Sequence, residues 1–398
     1  MINDLIVIGG GAAGLCSAVY FKQKHPGSTV RILESLPRVG KKLSLTGNGR
    51  CNITNKNIAL SRYHGKDKEF CRYALEKYDL SFTLDFFEKI GVQIVFEGDK
   101  AYPSSFQASS VVDCLRFACD ELGVITHTET PVTDIRVSDG NYKVISNQMS
   151  FFAKNIILAT GGLAGGDRLG CDGKMFKILK KADFKMVETA PSIVQIKTET
   201  DIVKQLKGIK INAKATMGNR SDFDEVLFCD YGLSGPAVLQ ISREANFENR
   251  ISLDIMPDTD YNSLVDLLMG RVNYLKNRTL DEFFTGMLQK RVGQVLLKQI
   301  GCKMNDSVAT LDLKKIKALA SLIKRWNFNV VGTTGLLNAQ VTCGGLSTVD
   351  FCDKTMESKQ ARNFYSVGEI LDIDGDCGGF NLQWAWSSAF CAVDAIKE

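Results

Sequence analysis

The sequence predicts an α/β fold: a parallel sheet covered by helices on both faces, interrupted by a small β-rich domain and then by a helical one. Three observations predict it. The chain opens on an apolar strand, a glycine turn and an apolar helix, "LIVIGGGAAGLCSAVYF" at residues 5–21. Strand-like and helix-like stretches then alternate as far as residue 190, the arrangement that lays helices over a parallel sheet. From Pro191 the pattern changes to short strands and then to helices, and the apolar strand pattern returns only at Asn363.

The opening stretch is uncharged, so export, membrane insertion and nucleotide binding compete for it. A signal peptide needs a basic leader and a small-residue cleavage site, whereas Met1, Ile2, Asn3 and Asp4 come first. A membrane helix needs about 20 apolar residues and would not carry three consecutive glycines near its start. The stretch reads as a strand at Leu5–Ile8, a turn, and a helix from Ala12. Gly9-x-Gly11-x-x-Gly14 is the pattern that binds a dinucleotide diphosphate. Gly9 permits the tight turn, Gly11 lets the backbone approach phosphate, and Gly14 lets the helix lie close on the sheet. The diphosphate then meets the N–H groups of Ala12, Ala13 and Gly14 at the positive helix end. "TVRILES" is a second strand, and its Glu34 stands about twenty positions beyond Gly14, where an acid accepts from ribose hydroxyls. This is a Rossmann-type layout.

The fingerprint recognises ADP and does not separate NAD from FAD; two distant segments favour FAD. "NIILATGG" (Asn155–Gly162) is a buried strand ending in Ala159-Thr160-Gly161, a turn that passes close to the cofactor in FAD proteins. "NFYSVGEILDIDGDCGGFNLQWAWSSAF" (Asn363–Phe390) is a strand, an acidic glycine loop and a helix. There Gly368-Glu369 is expected near the ribityl chain. Gly378, Gly379, Phe380 and Asn381 are expected to bring N–H groups and a helix start to the flavin edge that turns negative on reduction. No second G-x-G-x-x-G exists, and "GGLAGG" at Gly161–Gly166 has the wrong spacing, so a separate nicotinamide domain is not expected.

The remaining elements come in chain order. "CRYALEKYDLSFTLDFFEKIG" reads as a helix broken near Asp79, and "ASSVVDCLRFACDELG" as a helix ending at Gly123. "PVTDIRVSDGNYKVISN" reads as a hairpin turning at Asp139-Gly140, with Val132 near the adenine. "SIVQIKT", "KINAKATMG", "EVLFCDY" and "RISLDIM" are short strands of a β-rich domain over 191–258. "SLVDLLMGRVNYL" and "LKKIKALASLIKRW" show helical spacing in a domain over 259–329. The FAD domain is thus expected at 1–190 and 330–398.

The composition excludes several function classes. The chain has 398 residues, 44% hydrophobic and 24% charged, as in ordinary soluble globular proteins. Its 49 basic and 45 acidic residues are interleaved and give a net charge of only +4. That is too mild for a nucleic-acid binder, whose affinity rests on many phosphate contacts, so a small-molecule substrate is expected. The 12 cysteines form no C-x-x-C pair, which argues against zinc and thioredoxin-like sites. Scattered thiols in apolar stretches read as core residues kept reduced in the cytoplasm.

Four blocks resemble one family: "GKKLSLTGNGRCNITN" (Gly40–Asn55), "YGLSGPAVLQIS" (Tyr231–Ser242), "TCGGLSTVDFCDKTMESK" (Thr342–Lys359) and "GEILDIDGDCGGFNLQWAWSS" (Gly368–Ser388). They are similar to signature blocks of the BaiN-like bacterial FAD-binding oxidoreductases, also called the aminoacetone oxidase family, along the whole chain. The resemblance implies an FAD domain interrupted by β-rich and helical domains, and an oxidoreductase using FAD with NADH or NADPH. It implies that Gly49, Arg50, Cys51 and Asn52 lie beside the flavin ring, with Arg50 facing phosphate or flavin and Asn52 near N5. Lys41, Ser35 and Leu382 join the expected cofactor contacts. Family members commonly carry Thr-His before Gly-Leu-Ser-Gly-Pro, where this chain has Cys229-Asp230-Tyr231.

Three chemistries stay open from sequence. One is reduction of an organic C=C or C=O with electrons from NAD(P)H; another is oxidation of a small amine with release of hydrogen peroxide; the third is a flavin-carrying sensor without turnover. No catalytic residue is assigned, because flavin chemistry needs the protein mainly to position and tune. His25 sits in the His-Pro-Gly loop, and His64 and His127 lie in no motif. Cys51 and Cys377 read as packing thiols, Trp384 and Trp386 as core. Asp372, Asp374 and Asp376 lack the bidentate Glu of a calcium loop, and Ser234 lacks a hydrolase elbow.

Overall fold

The computed structural model describes residues 2–397 except Asp139 and Gln148. It divides into two compact units, residues 1–192 with 336–398, and residues 193–335.

The first unit is built on a sheet whose central strands are apolar enough to be buried on both faces. Strand β1 (Ile2–Ile8) leads through the glycine turn into helix α1 (Ala12–Lys24), which returns to β2 (Val30–Leu33). After helix α2 (Ala108–Glu121) come β3 (Ile125–His127), the hairpin β4 (Val132–Ser138) and β5 (Asn141–Ser146), and the long β6 (Ser150–Leu158). The last strand, β7 (Phe364–Ser366), is followed by helix α3 (Phe380–Ala395). The order is β3-β2-β1-β6-β5-β4. β1 pairs in parallel with β6 (Leu5 opposite Asn155) and with β2 (Leu5 opposite Val30). β6 changes partner along its length: Ser150–Ala153 pair antiparallel with β5, and Ile156–Leu158 pair in parallel with β7. The sheet therefore ends its parallel strands together, and the turns after β1, β2, β6 and β7 share one edge, where α/β sheets bind ligands.

The helix break expected near Asp79 is a fresh start. Helices Arg72–Lys77 and Leu80–Lys89 flank Asp79, whose side chain accepts from the Phe82 N–H, an N-cap bond worth about 1 kcal/mol. The expected hairpin forms with Gly140 at φ 75°, while Asp139 lies outside the described residues. Trp384 and Trp386, both on α3, are buried, and their indole N–H groups donate to the Gly368 and Ile53 carbonyls (3.1 and 3.0 Å).

The inserted region differs from the expected pair of domains. Six strands close into a barrel in the order Ile196–Thr198, Gly232–Ser234, Arg220–Phe228, Lys210–Met217, Arg250–Asp254 and Trp326–Thr333. The closing strand lies after the helices in sequence, so the barrel closes only when the chain returns from them. The helices Tyr261–Leu275 and Leu313–Lys324 bury Leu264, Leu268, Ile316 and Leu319 in the same core as Ile251, Leu253 and Trp326. Lys324 Nζ ties them further, reaching Asp254 (2.8 Å) and the Met256 and Thr259 carbonyls. One core makes one unit. "SIVQIKT" is likewise not one strand: β-structure stops at Ser192 in the first unit and resumes at Ile196 in the second.

Candidate functional site

The glycines after β1 differ in what a side chain there would meet. Gly9 has φ 103°, and a Cβ there would stand 2.5 Å from the Ala159 carbonyl oxygen. A Cβ on Gly14 would run into the Gly9 carbonyl, so the helix closes on its own turn only with glycine. Gly11 is the exception: nothing lies within 4 Å of the position its Cβ would take. It is the N-cap of α1, no side chain caps the helix there, and the space where its Cβ would stand is open.

Glu34 is buried at the end of β2, and its carboxylate is fixed from below. The Gly10 N–H donates to Oε2 (2.7 Å), while the Leu36 N–H and the Ser35 hydroxyl donate to Oε1 (2.8 and 3.2 Å). The Thr130 N–H donates to the Glu34 carbonyl (2.8 Å), which brings Val132 at the start of β4 close to the same edge. Across β1, the Ala159 N–H donates to the Ile8 carbonyl (2.8 Å), so Ala159-Thr160-Gly161 abuts the glycine turn. Gly161 has φ 71° and open space beyond it. Thr160, Gly161 and Gly162 line a shallow cleft together with Gly170, Asp172, Gly173, Met175 and Phe176.

Beneath this turn lies a brace that sequence reasoning missed. Glu369 accepts from the Thr342 N–H (2.8 Å) through Oε1 and pairs with Lys42 Nζ (2.6 Å) through Oε2. Thr342 Oγ1 in turn accepts from the Leu163 and Ala164 N–H groups (2.8 and 2.9 Å). Burial pulls the Lys42 ammonium down, and the Glu369 carboxylate more than restores it. Lys42, rather than its neighbour Lys41, reaches this group. Gly368 packs on the fingerprint helix itself, since a Cβ there would meet Ala13 (3.2 Å) and Ala385 (3.9 Å).

The far end of this row is a second glycine-begun helix. Gly379 is the N-cap of α3 at φ 99°, again with no side-chain cap. A Cβ there would stand 2.7 Å from the Thr54 carbonyl oxygen and 2.9 Å from Asn52 Oδ1, so the 47–52 loop presses directly against the start of α3. Asn381 secures the loop before the helix, accepting from the Gly375 N–H (2.8 Å) and donating to the Gly375 and Asp376 carbonyls. Leu382 packs partly into the core one position on. Thr54 donates to Gln383 Oε1 (2.5 Å), and Gln383 donates to the Thr83 and Ser387 hydroxyls, a buried network that locks loop to helix.

The contacts set out a row: Glu34, the α1 start and Thr160 at the sheet edge, Gly368 between α1 and α3, and Asn52 against Gly379 where α3 begins. Two buried oxygens along it, Thr160 Oγ1 and Asn52 Oδ1, have no hydrogen-bond partner. An unsatisfied buried group costs about 1–3 kcal/mol unless a ligand takes it up. Orphaned oxygens, uncapped helix starts and glycines that face open space together fit an extended dinucleotide.

Some expected residues lie elsewhere. Arg50 does not face the row: its guanidinium pairs with Glu97 (2.6 Å) and rests against Tyr102 and Phe106. Cys51 is buried at φ 56°, and burial pushes its thiol up to about 12, so it is no thiolate at neutral pH. His64 Nε2 lies 2.8 Å from Asp376 Oδ1, beside the loop leading to Gly379, a proximity that no local motif announces. His25 packs on Phe21 and His127 against Arg31. No described helix is long and apolar enough to cross a membrane.

Residues 3–395 match the family model described as HI0933-like protein Rossmann domain. A 3-dehydro-bile acid Δ(4,6)-reductase of Clostridium scindens is 32% identical over 408 aligned positions, covering 100% of both chains. A ribosomal RNA dihydrouridine synthase of Escherichia coli is 31% identical, covering 99% of this chain and 98% of that one. Among solved structures, the 3-ketosteroid-Δ4-(5α)-dehydrogenase of Rhodococcus jostii RHA1 superposes with a TM-score of 0.52 at 14% identity, covering 100% of this chain and 97% of that one. That last likeness is one of fold.

Proposed function

This chain belongs to the HI0933-like Rossmann family of FAD-dependent oxidoreductases, the family its BaiN-like blocks point to, and on that premise we propose that it reduces a C=C bond conjugated with a carbonyl group of a small molecule, taking electrons from NADH or NADPH in the cytoplasm. One observation carries the reading. Two relatives matched over essentially the whole chain bear names for one bond change: a Δ(4,6)-reductase of a 3-oxo compound and an enzyme that makes dihydrouridine. In both, hydrogen is added across a C=C that a carbonyl activates.

The chain's own residues have four tasks in this reading. The N–H groups at the start of α1 hold the diphosphate, and Glu34, pre-aimed by Gly10, Ser35 and Leu36, accepts from the adenosine ribose. Thr160 Oγ1 and Asn52 Oδ1 hydrogen-bond to the cofactor and lose their isolation. The Lys42–Glu369–Thr342 brace keeps the Thr160 turn rigid. The positive end of α3 would favour the reduced, more negative form of a flavin ring held against it. When bound, FAD supplies two-electron transfer between the nicotinamide and the substrate.

An anaerobic titration of the FAD-loaded protein with NADH and with NADPH tests this. The flavin band is expected to bleach with at least one nicotinamide and to return on adding 2-cyclohexen-1-one as a simple conjugated ketone. A band that persists with both nicotinamides contradicts the reading. The dihydrouridine-forming relative favours a second reading, in which the activated C=C belongs to a uracil ring in RNA. Band recovery with a uridine-rich RNA fragment but not with the free ketone would select it.

A further inference from the structure

We propose that the helical part of the second unit, residues 271–325, forms a docking surface for single-stranded nucleic acid. Tyr274 is its platform for a base, and Lys276, Arg278 and Lys303 are its contacts for phosphates. Such a surface goes beyond the flavin chemistry and does not depend on which bond is reduced. The charge of the chain is unevenly spread. Residues 271–325 hold 12 basic and 4 acidic side chains, a net +8, so the rest of the chain is net −4. The total of +4, which argues against a nucleic-acid binder, is thus an average over two unlike regions.

The fold gathers much of this charge in one place. Residues 276–281 and 303–308 lie side by side. The Arg278 carbonyl accepts from the Val308 N–H (2.9 Å), the Lys276 carbonyl from the Ser307 hydroxyl (2.9 Å), and the Asp306 carbonyl from the Leu280 N–H (2.9 Å). Lys276, Arg278 and Lys303 stand exposed on these two segments, and none has an ion-pair partner among the described residues. The acid between them is already engaged. Asp281 pairs with Lys290 (2.8 Å) and accepts from Gln294 (2.5 Å); Lys290 above all, with Lys298 adding to it, holds that carboxylate below its ordinary range. Arg271 joins from the end of helix Tyr261–Leu275, its guanidinium donating to the Phe283 and Thr285 carbonyls (2.5 Å each). Burial, and then the charge of Arg278, pull that guanidinium down, so these two cations stand near enough to repel. Glu282 and Asp306 do not offset the six basic residues gathered here. A strand of phosphates does.

Tyr274 is the second, independent observation. It is 88% exposed, and its ring lies over Gly270, where a Cβ would stand 3.9 Å from Cε2. Arg271, Tyr274 and Arg278 follow one another at spacings of three and four, along one side of the helix and the turn that extends it. A free aromatic face between two guanidinium groups takes an unstacked base of any identity, while its neighbours meet the backbone phosphates. A membrane surface would call for several apolar anchors beside the charges. Among the described residues between 268 and 312, Tyr274 is the sole large hydrophobic that is exposed.

Fluorescence anisotropy on the FAD-loaded protein tests this, with a labelled single-stranded RNA of about 20 nucleotides and a DNA of the same sequence. Affinity is read between about 50 and 200 mM salt. Replacing Lys276, Arg278 and Lys303 together by Gln should weaken binding at least about tenfold and reduce the salt slope by about 2. Tyr274→Ala should weaken it about tenfold and leave the slope unchanged. Replacing Lys177, Lys180 and Lys185 of the first unit by Gln removes the same charge and should keep affinity within about twofold. Flavin content and a thermal melt show that each variant is folded; should the triple variant not fold, Tyr274→Ala decides, since its side chain is almost wholly in solvent. Binding of either oligonucleotide through these residues upholds the surface, and tighter binding of the RNA assigns it to RNA. The proposal is overturned if the unmodified protein holds neither strand at about 100 mM salt, or if the first-unit variant loses as much affinity as the second-unit one. It is equally overturned if only phosphatidylserine vesicles bind. No turnover is measured, so failure of the reductase reading leaves each of these outcomes intact.

Discussion

Helices α1 and α3 both begin at a glycine with no side-chain cap, and they are built in opposite ways. At α1 the geometry is mostly local: Gly14 is crowded by the Gly9 carbonyl of its own turn and space stands open in front of Gly11, with only Gly9 pressed by the distant Ala159. At α3 it is imported: Gly379 is glycine because Thr54 and Asn52, far away in sequence, lean on it. The first start is largely a motif, written in adjacent residues between a strand and a helix. The second exists only once the rest of the unit has folded around it. The same backbone device can thus be written into adjacent residues or assembled from distant ones.

The difference predicts how substitutions divide. Gly11→Val should show the largest effect, complete loss of FAD retention, with the cofactor-free protein destabilised by no more than about 1 kcal/mol through the poorer N-cap residue, since its methyls enter open space. Visible absorption and a thermal melt check both halves; a variant that copurifies fully yellow would break the assignment. Gly14→Ala and Gly379→Ala should instead destabilise even the cofactor-free protein, by about 1–3 kcal/mol, because the added methyl meets backbone atoms. Denaturant unfolding of apo-protein measures it. If Gly379→Ala proves neutral, the tertiary origin of the α3 start is wrong.

Thr160→Val sharpens the comparison with a smaller effect of opposite sign in the two states. Removing an orphaned hydroxyl should stabilise the cofactor-free protein by about 1 kcal/mol while weakening FAD binding about tenfold. Calorimetric titration with FAD and an apo-protein melt read the two signs. The smallest effect concerns pH. Burial raises the Cys51 thiol from its ordinary 9.0 to about 12. A raised folded value means the contribution is whole below about pH 9 and is lost as pH climbs towards 12. Melting temperature should therefore hold steady around neutrality and fall in the alkaline range, less steeply in Cys51→Ala.

The same contrast explains what the sequence made legible. The strand–turn–helix at Leu5–Phe21, the acid at Glu34 and the Ala159–Gly161 turn depend on neighbours or on fixed spacing, and their positions emerge from reading along the chain. The brace of Lys42, Thr342 and Glu369 does not, because its members are drawn from distant parts of the chain and belong to no spacing rule. Arg50 was legible as a loop residue, but its partners Glu97, Tyr102 and Phe106 arrive on other elements and turn it away from the cofactor row. The inserted region reads as two domains for a similar reason. Strand and helix periodicities are local signals, whereas closure of the barrel by Trp326–Thr333 is a pairing across the whole insertion.

The central claim is that the starts of α1 and α3 grip opposite parts of one FAD. A crystal structure of the protein with FAD bound tests it most directly. The account predicts the diphosphate at the N–H groups of residues 11–14, ribose hydroxyls on Glu34, and the ring system against Asn52 and Gly379. A flavin ring bound away from Gly379, or a diphosphate away from Gly11, would contradict it.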